Sequence, residues 1–339
     1  MNERLALVTG AAGEMGHLLI PALKQAGFEV VTVDLRSLPD ELAGTCRECL
    51  DASILDDRAM HKLFAKYRFS HVYHLAAILS SKAEQDPGLA HRVNVEGTFG
   101  LFRLCLQQVE ETGHEPRLLF PSSIAVYGLP NADTKTEQGS VKESEWLVPS
   151  GMYGCNKLYC ELIGNYLSRR HRNDSPQLDF RAIRFPGLIS AETLPTGGTT
   201  DYAPEMIHAA AQGEPYECFV REDTRLPFMT MPDAVEALLR LADAPASTLS
   251  TRVYNIKAFS VSAGEIRDAV LREFPRASID FKPVTARQAI VDSWPADVDD
   301  SLARQDWGLD PRHGFAEALE NYLLPALRRR YGTRAGAER

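Results

Sequence analysis

No run in the 339-residue sequence approaches the roughly 18 apolar residues that a membrane-spanning helix requires. Positive charge is not in excess either. Lysine and arginine number 37 against 46 aspartates and glutamates, a formal net charge of −9. That balance argues against non-specific binding to nucleic acid or to an anionic membrane. Cysteine is sparse: six residues, scattered, which reads as reduced thiols in cytoplasm rather than a disulfide framework. Cys46-Arg47-Glu48-Cys49 is a C-x-x-C without the second pair that a structural zinc site uses, and no metal is implied. Repeats and low-complexity stretches are absent. The N-terminus enters an apolar strand almost at once, which leaves no room for a signal peptide.

What is present starts with that strand. Leu5-Ala6-Leu7-Val8-Thr9 is followed by Gly10-Ala11-Ala12-Gly13-Glu14-Met15-Gly16 and then by an amphipathic stretch. A glycine motif has meaning in this strand–turn–helix setting. Gly10 permits the tight turn, Gly13 lets a pyrophosphate approach the backbone, and Gly16 lets the helix pack close. The helix N-terminus then faces the phosphates. The spacing is G-x-x-G-x-x-G rather than the commoner G-x-G-x-x-G. A second strand, Glu29 to Val33, ends in Asp34, placed to accept both hydroxyls of an adenosine ribose and to repel a 2′-phosphate. The expected cofactor is therefore NAD rather than NADP. Arg36 could pair with that phosphate or could simply be a solvated loop charge.

Strands and helices alternate through the first half. Strands are expected at 48–50, 71–75, 117–120 and 179–183, and helices at about 56–67, 88–111 and 153–171. This alternation predicts an α/β fold with a doubly wound parallel sheet of the Rossmann kind. Ligands bind at the carboxyl ends of such strands, where Asp34, Asp51, Ala76, Ser123 and Pro186 fall.

The chemistry points to Ser123, Tyr153 and Lys157. Tyrosine and lysine four apart at a helix start share one face. A phenol of pKa about 10 is a poor base at neutral pH, and a neighbouring ammonium lowers that pKa. The lysine can also hold a ribose hydroxyl, and the serine can steady the reacting oxygen. Together they make a proton-transfer site beside a nicotinamide.

With those residues in view, the sequence resembles the extended short-chain dehydrogenase/reductase family. The resemblance is carried by Thr9 to Gly16, His74-Leu75-Ala76-Ala77, Asn94-Val95-Glu96-Gly97-Thr98, Ser122 to Gly128, Tyr153 to Lys157, and Arg184-Phe185-Pro186-Gly187. It implies that Gly10, Gly13, Glu14, Met15 and Gly16 line the cofactor, with Asp34, Leu35, Arg36, Asp51 and Ala52 at the adenosine end. Leu75, Ala76, Ala77, Asn94 and Pro186 complete the cofactor site with Tyr153 and Lys157.

The C-terminal half is similar to the short-chain L-threonine 3-dehydrogenases. Its carriers are Leu79 to Glu84, Gly197-Gly198-Thr199-Thr200-Asp201-Tyr202-Ala203, Asp223 to Met229, Arg287 to Pro295, and Asp299 to Gly308. An NDP-sugar epimerase would carry an asparagine stretch at 197–200 and Arg-Asp-Tyr at 225–227. The sequence departs from the dehydrogenases in a longer 131–148 segment, in Gly151-Met152 before Tyr153, and in a polar insertion at 171–178.

The resemblance implies oxidation of a β-hydroxy-α-amino acid, with L-threonine the expected substrate and 2-amino-3-oxobutyrate the product. The alternatives are an NDP-sugar 4-epimerase or reductase and a non-catalytic NAD-sensing protein. A small amino acid needs a few well-placed groups: Ser80, Ser123, Tyr153, Arg184, Thr199 and Thr200. Arg184 is expected at the carboxylate, or else paired with a buried acid. Trp294 is expected as a lid over the site or as a packing anchor. Residues 1–186, rejoined by 228–257, would form the NAD domain. Residues 187–227 and 258–330 would form a smaller α/β substrate domain. The helices near 88–111 and 153–171 carry surplus apolar residues and would pair in a homodimer.

Overall fold

The computed structural model describes residues 4–169, 177–195 and 197–332. Its strands, in chain order, are β1 (Leu5–Thr9), β2 (Glu29–Asp34), β3 (Glu48–Asp51), β4 (His71–His74), β5 (Arg117–Ser123), β6 (Ser140–Val141) and β7 (Asp179–Phe185). Then follow β8 (Gly187–Ile189), β9 (Tyr216–Cys218), β10 (Arg225–Thr230), β11 (Val253–Asn255), β12 (Phe259–Ser262), β13 (Ile279–Phe281) and β14 (Asp297–Val298).

Seven strands form one parallel sheet in the order β3-β2-β1-β4-β5-β7-β11. Strand order reverses between β1 and β4, which opens a crevice above their carboxyl ends. The sheet is covered on both faces, so β1 and β4 are buried along their whole length, while the edge strand β3 is partly exposed. Alternate residues of β1 enter opposite cores. Leu5 and Leu7 pack with Phe102 and Phe180, while Ala6 and Val8 pack with Leu19 and Leu238.

Only Pro186 separates β7 from β8, where the chain leaves the large sheet for a smaller one ordered β12-β10-β8. It returns through β10, the helix Met231–Asp243 and β11. A third core, with Tyr202, Met206, Phe219 and Phe228, lies under the small sheet.

The expected helix at 88–111 is a helical run from Pro87 to Thr112 with a wide π turn at Arg92–Gly97. Such turns gather at functional sites, and this one holds Asn94. The long 131–148 segment is not an open loop. It contains the helix Ala132–Gln138 and β6, which pairs with β14. The buried Lys135 ties it down by donating to Val291 O at 2.9 Å. The expected polar insertion falls largely on residues 171–176, outside the described residues.

Candidate active site

The glycine turn after β1 is forced by its surroundings. Gly10 has φ 69°, and a Cβ there would lie 2.5 Å from Ala76 N. The turn is thus pressed against the segment that follows β4. A Cβ on Gly16 would lie 2.1 Å from Ala11 O, so the helix Glu14–Gln25 packs directly on the turn. Its N-cap residue, Gly13, makes no side-chain cap. The first-turn N–H groups and the dipole are therefore available to an anion. Glu14 is turned aside, accepting a hydrogen bond from the Thr193 hydroxyl at 3.0 Å, while Met15 packs against the core.

At the end of β2, Asp34 accepts from Ala12 N and from Arg36 N, both at 2.9 Å. A carboxylate has about four acceptor positions, so capacity remains for ribose hydroxyls. The Arg36 guanidinium donates to Ala12 O at 2.7 Å and is otherwise exposed. Leu35, 76 % exposed, offers an apolar surface at this end. Asp51 accepts from the Ser37 hydroxyl, and Ala52 N donates to Asp34 O at 2.8 Å. Leu75 N donates to Thr9 O at 2.9 Å, and Ala77 continues the same half-buried segment. Pro186 is buried where β7 passes into β8. An uncapped helix start, a fixed carboxylate and an exposed apolar residue, all at one edge of the sheet, fit a dinucleotide.

Two residues to which the sequence assigned no role hold this edge together. His74 lies buried between Thr9 Oγ1 (2.7 Å) and Thr98 Oγ1 (2.9 Å). Thr98 donates to Asn94 O, so it accepts from His74 Nε2–H, and His74 Nδ1 accepts from Thr9. Burial pushes the imidazole down to about 3, keeping it neutral. Asn156, also buried, accepts from Asn94 Nδ2 at 3.3 Å. Asn94 itself, expected to line the cofactor, uses its amide on Ile78, accepting from N at 2.7 Å and donating to O at 3.0 Å. It secures the loop after β4.

Ser123 ends β5 and accepts from Ala125 N at 3.1 Å, which leaves its O–H free to donate. Tyr153 and Lys157 stand in the first turns of the helix Met152–Ser168. Gly154 brings that helix onto the turn after Ser123, since a Cβ there would lie 2.0 Å from Ala125 O. Lys157 Nζ donates to Pro121 O at 2.6 Å and sits 5.5 Å from the Tyr153 ring centroid. The expected lowering of the tyrosine pKa is not what the protein alone shows. Burial pushes the Tyr153 phenol up and the Lys157 ammonium down to about 8. The ammonium is spent on a carbonyl, and burial dominates both groups.

The expected substrate residues divide. Ser80 and Thr199, 119 residues apart, are joined hydroxyl to hydroxyl at 2.8 Å in a buried contact. Thr200 lies against Gly187 at the start of β8. Asp201 fixes the turn by accepting from Gly197 N and Gly198 N at 2.8 and 2.6 Å.

Arg184 is corrected. Its side chain is buried and clamps Glu161 through two hydrogen bonds of 2.9 and 2.7 Å. It also donates to Tyr127 Oη and Glu143 O. Its charge is neutralised before any carboxylate could approach. Glu161 lies one turn beyond Lys157 on the same helix, a position that by itself does not mark it as a buried acid. Trp294 is corrected as a lid. It is 5 % exposed and packed in the third core, so its role is that of an anchor.

Comparisons with known proteins agree with this architecture. The NAD dependent epimerase/dehydratase family matches residues 6–256. The mitochondrial L-threonine 3-dehydrogenase of Bos taurus is 35% identical, over 93% of this chain and 80% of that protein. A monomeric L-threonine 3-dehydrogenase from a metagenome superposes with a TM-score of 0.86 at 34% identity, over 96% of this chain and 99% of that one. The L-threonine dehydrogenase of Clostridium difficile superposes with a TM-score of 0.87 at 28% identity, over 98% and 99%. The chain belongs to the NAD-dependent epimerase/dehydratase family, and it is an NAD-dependent dehydrogenase.

Proposed function

We propose that this enzyme is an L-threonine 3-dehydrogenase, oxidising the C3 hydroxyl of L-threonine to give 2-amino-3-oxobutyrate. The observation that carries the reading is likeness over the whole chain, substrate half included, to enzymes named for that reaction. Bound NAD supplies the hydride acceptor. Tyr153 takes the hydroxyl proton, and Ser123 donates a hydrogen bond to the same oxygen as it becomes a carbonyl. Lys157, anchored on Pro121 O, sets the charge beside the phenol. Gly13 to Gly16 take the pyrophosphate, Asp34 takes the ribose, and Ser80, Thr199 and Thr200 take the polar end of the amino acid. Residues 1–186 and 228–257 hold the cofactor, and 187–227 with 258–330 hold the substrate.

Helices Thr98–Thr112 and Met152–Ser168 leave Phe99, Tyr159, Leu162 and Tyr166 exposed, the last at 63 %. That apolar surface supports a homodimer built on these helices. Light scattering should give twice the chain mass, and Leu162→Lys should halve it; a monomeric wild type removes the dimer. The six free thiols support a reducing, cytoplasmic setting.

The test is NADH formation with L-threonine, L-serine, L-allo-threonine, 3-hydroxybutyrate and a UDP-sugar side by side. L-threonine should be turned over fastest. Turnover of the UDP-sugar with none of any amino acid would overturn the assignment.

A further inference from the structure

The helix that carries Tyr153 begins without a cap of its own. Its N-cap residue is Gly151, which has no side chain to offer, and first-turn N–H groups have no acceptor within their helix. The acceptor comes from 68 residues away: Glu84 Oε1 takes the Met152 N–H at 2.6 Å. A Cβ on Gly151 would lie 3.0 Å from that same oxygen. The carboxylate thus stands where an N-cap side chain would begin, and its charge suits the positive end of the helix dipole.

Glu84 belongs to the short helix Ser80–Gln85. Ser80 lies one turn away on the same face and is bonded to Thr199 at 2.8 Å. One end of this short helix therefore touches the segment 197–200, and the other touches the start of the helix Met152–Ser168.

We infer that Glu84 is a positioning residue for Tyr153, acting with Ser80 to hold the tyrosine in register with the Gly197–Thr200 segment. The inference rests on the proposed oxidation of L-threonine for the role of Tyr153. Glu84 touches no reacting atom. Its loss loosens the first turn, in which Tyr153 is the second residue, and should therefore appear in kcat rather than in cofactor affinity.

The test compares Glu84→Ala, Glu84→Gln and the double variant Glu84→Ala/Gly151→Ser with wild type. Glu84→Ala should lower kcat for L-threonine about tenfold, because small displacements of a reacting group cost rate steeply. Its KM and its NAD dissociation constant should stay within about twofold of wild type. Glu84→Gln keeps an acceptor oxygen and should keep most of the activity. A serine at 151 can cap the helix itself, so the double variant should recover to within about threefold of wild type. Amide exchange over residues 151–158 gives a readout that needs no substrate. It should be about fivefold faster in Glu84→Ala and return in the double variant. Wild-type kcat in Glu84→Ala would overturn the inference, as would restored exchange protection without restored kcat. If wild type itself does not oxidise L-threonine, the proposed reaction falls. The cap is then judged by exchange alone, where an unchanged rate in Glu84→Ala overturns it.

Discussion

Strand β7 carries two buried arginines three residues apart, on opposite faces and toward opposite ends. Arg181 faces the helix Met231–Asp243, and its Nη1 donates to the carbonyls of Leu241, Ala242 and Ala244. Its remaining N–H groups meet Asp179 at 2.8 and 2.7 Å. It completes a helix C-terminus, where cations are favoured. Arg117 adds a bond to Ala242 O, and Arg4 pairs with Asp243. The amino edge of the sheet is closed by its own side chains. Arg184 sits at the carboxyl edge and is spent on Glu161. Gly13, which starts the helix Glu14–Gln25, supplies no side-chain cap, whereas the start of the helix Met152–Ser168 is closed by Glu84. The contrast teaches where to look for a ligand. It is the edge where the helix Glu14–Gln25 starts without a side-chain cap, not the edge with the most arginines.

The largest expected effect breaks the comparison at Arg184. Arg184→Met leaves Glu161 buried without its cation and should cost about 3–5 kcal/mol in urea unfolding. Arg181→Met should cost less, about 1–3 kcal/mol, because Asp179 keeps Arg252 at 3.6 Å and Arg117 at 3.9 Å. If Arg184→Met is stable and only raises the KM for the amino acid, Arg184 is a ligand after all.

Next in size is Tyr153→Phe, on the open edge. The ring stays and the proton acceptor goes, so kcat should fall by about 10²-fold or more, with stability and NAD affinity near wild type. A near-normal kcat would name another group as the base.

The pH profile is smaller but sharper. Burial raises the Tyr153 phenol and brings Lys157 down to about 8. The pair must release one proton before Tyr153 can accept one, and that proton leaves as pH rises through about 8. Activity on L-threonine should therefore climb about tenfold from about pH 7 to about pH 9 and then level. A flat profile would put the acceptor outside this pair.

The smallest effect concerns Asp34. Wild type should favour NAD over NADP by at least about tenfold in kcat/KM. Asp34→Ser should bring the two near parity, because Arg36 then faces a 2′-phosphate unopposed. Equal use by wild type would mean that Arg36 already governs the site.

Much of this was readable in advance, for local reasons. The bounds of β1 follow from an apolar run stopped by glycine, and the helix Asp57–Lys66 from one apolar stripe. Ser123, Tyr153 and Lys157 were legible because a strand end and a helix start are local features. Other outcomes had no local signal. Glu161 on a helix reads as a surface acid until Arg184 is seen to reach it. The 131–148 segment reads as loop because Lys135, which ties it down, finds its acceptor on Val291, 156 residues away.

By itself, then, the sequence determined the parallel sheet, the glycine turn against its first helix and the placing of Tyr153 and Lys157 at a helix start. These depend on periodicity and on residues within a few positions of one another. Only the tertiary structure decided that Arg184 is a clamp, that Trp294 is an anchor, that Ser80 meets Thr199 across 119 residues and that Glu84 caps the helix of Tyr153. Each of these depends on which side chain fills the space opposite, and residues far apart in the chain settle that when the two sheets pack.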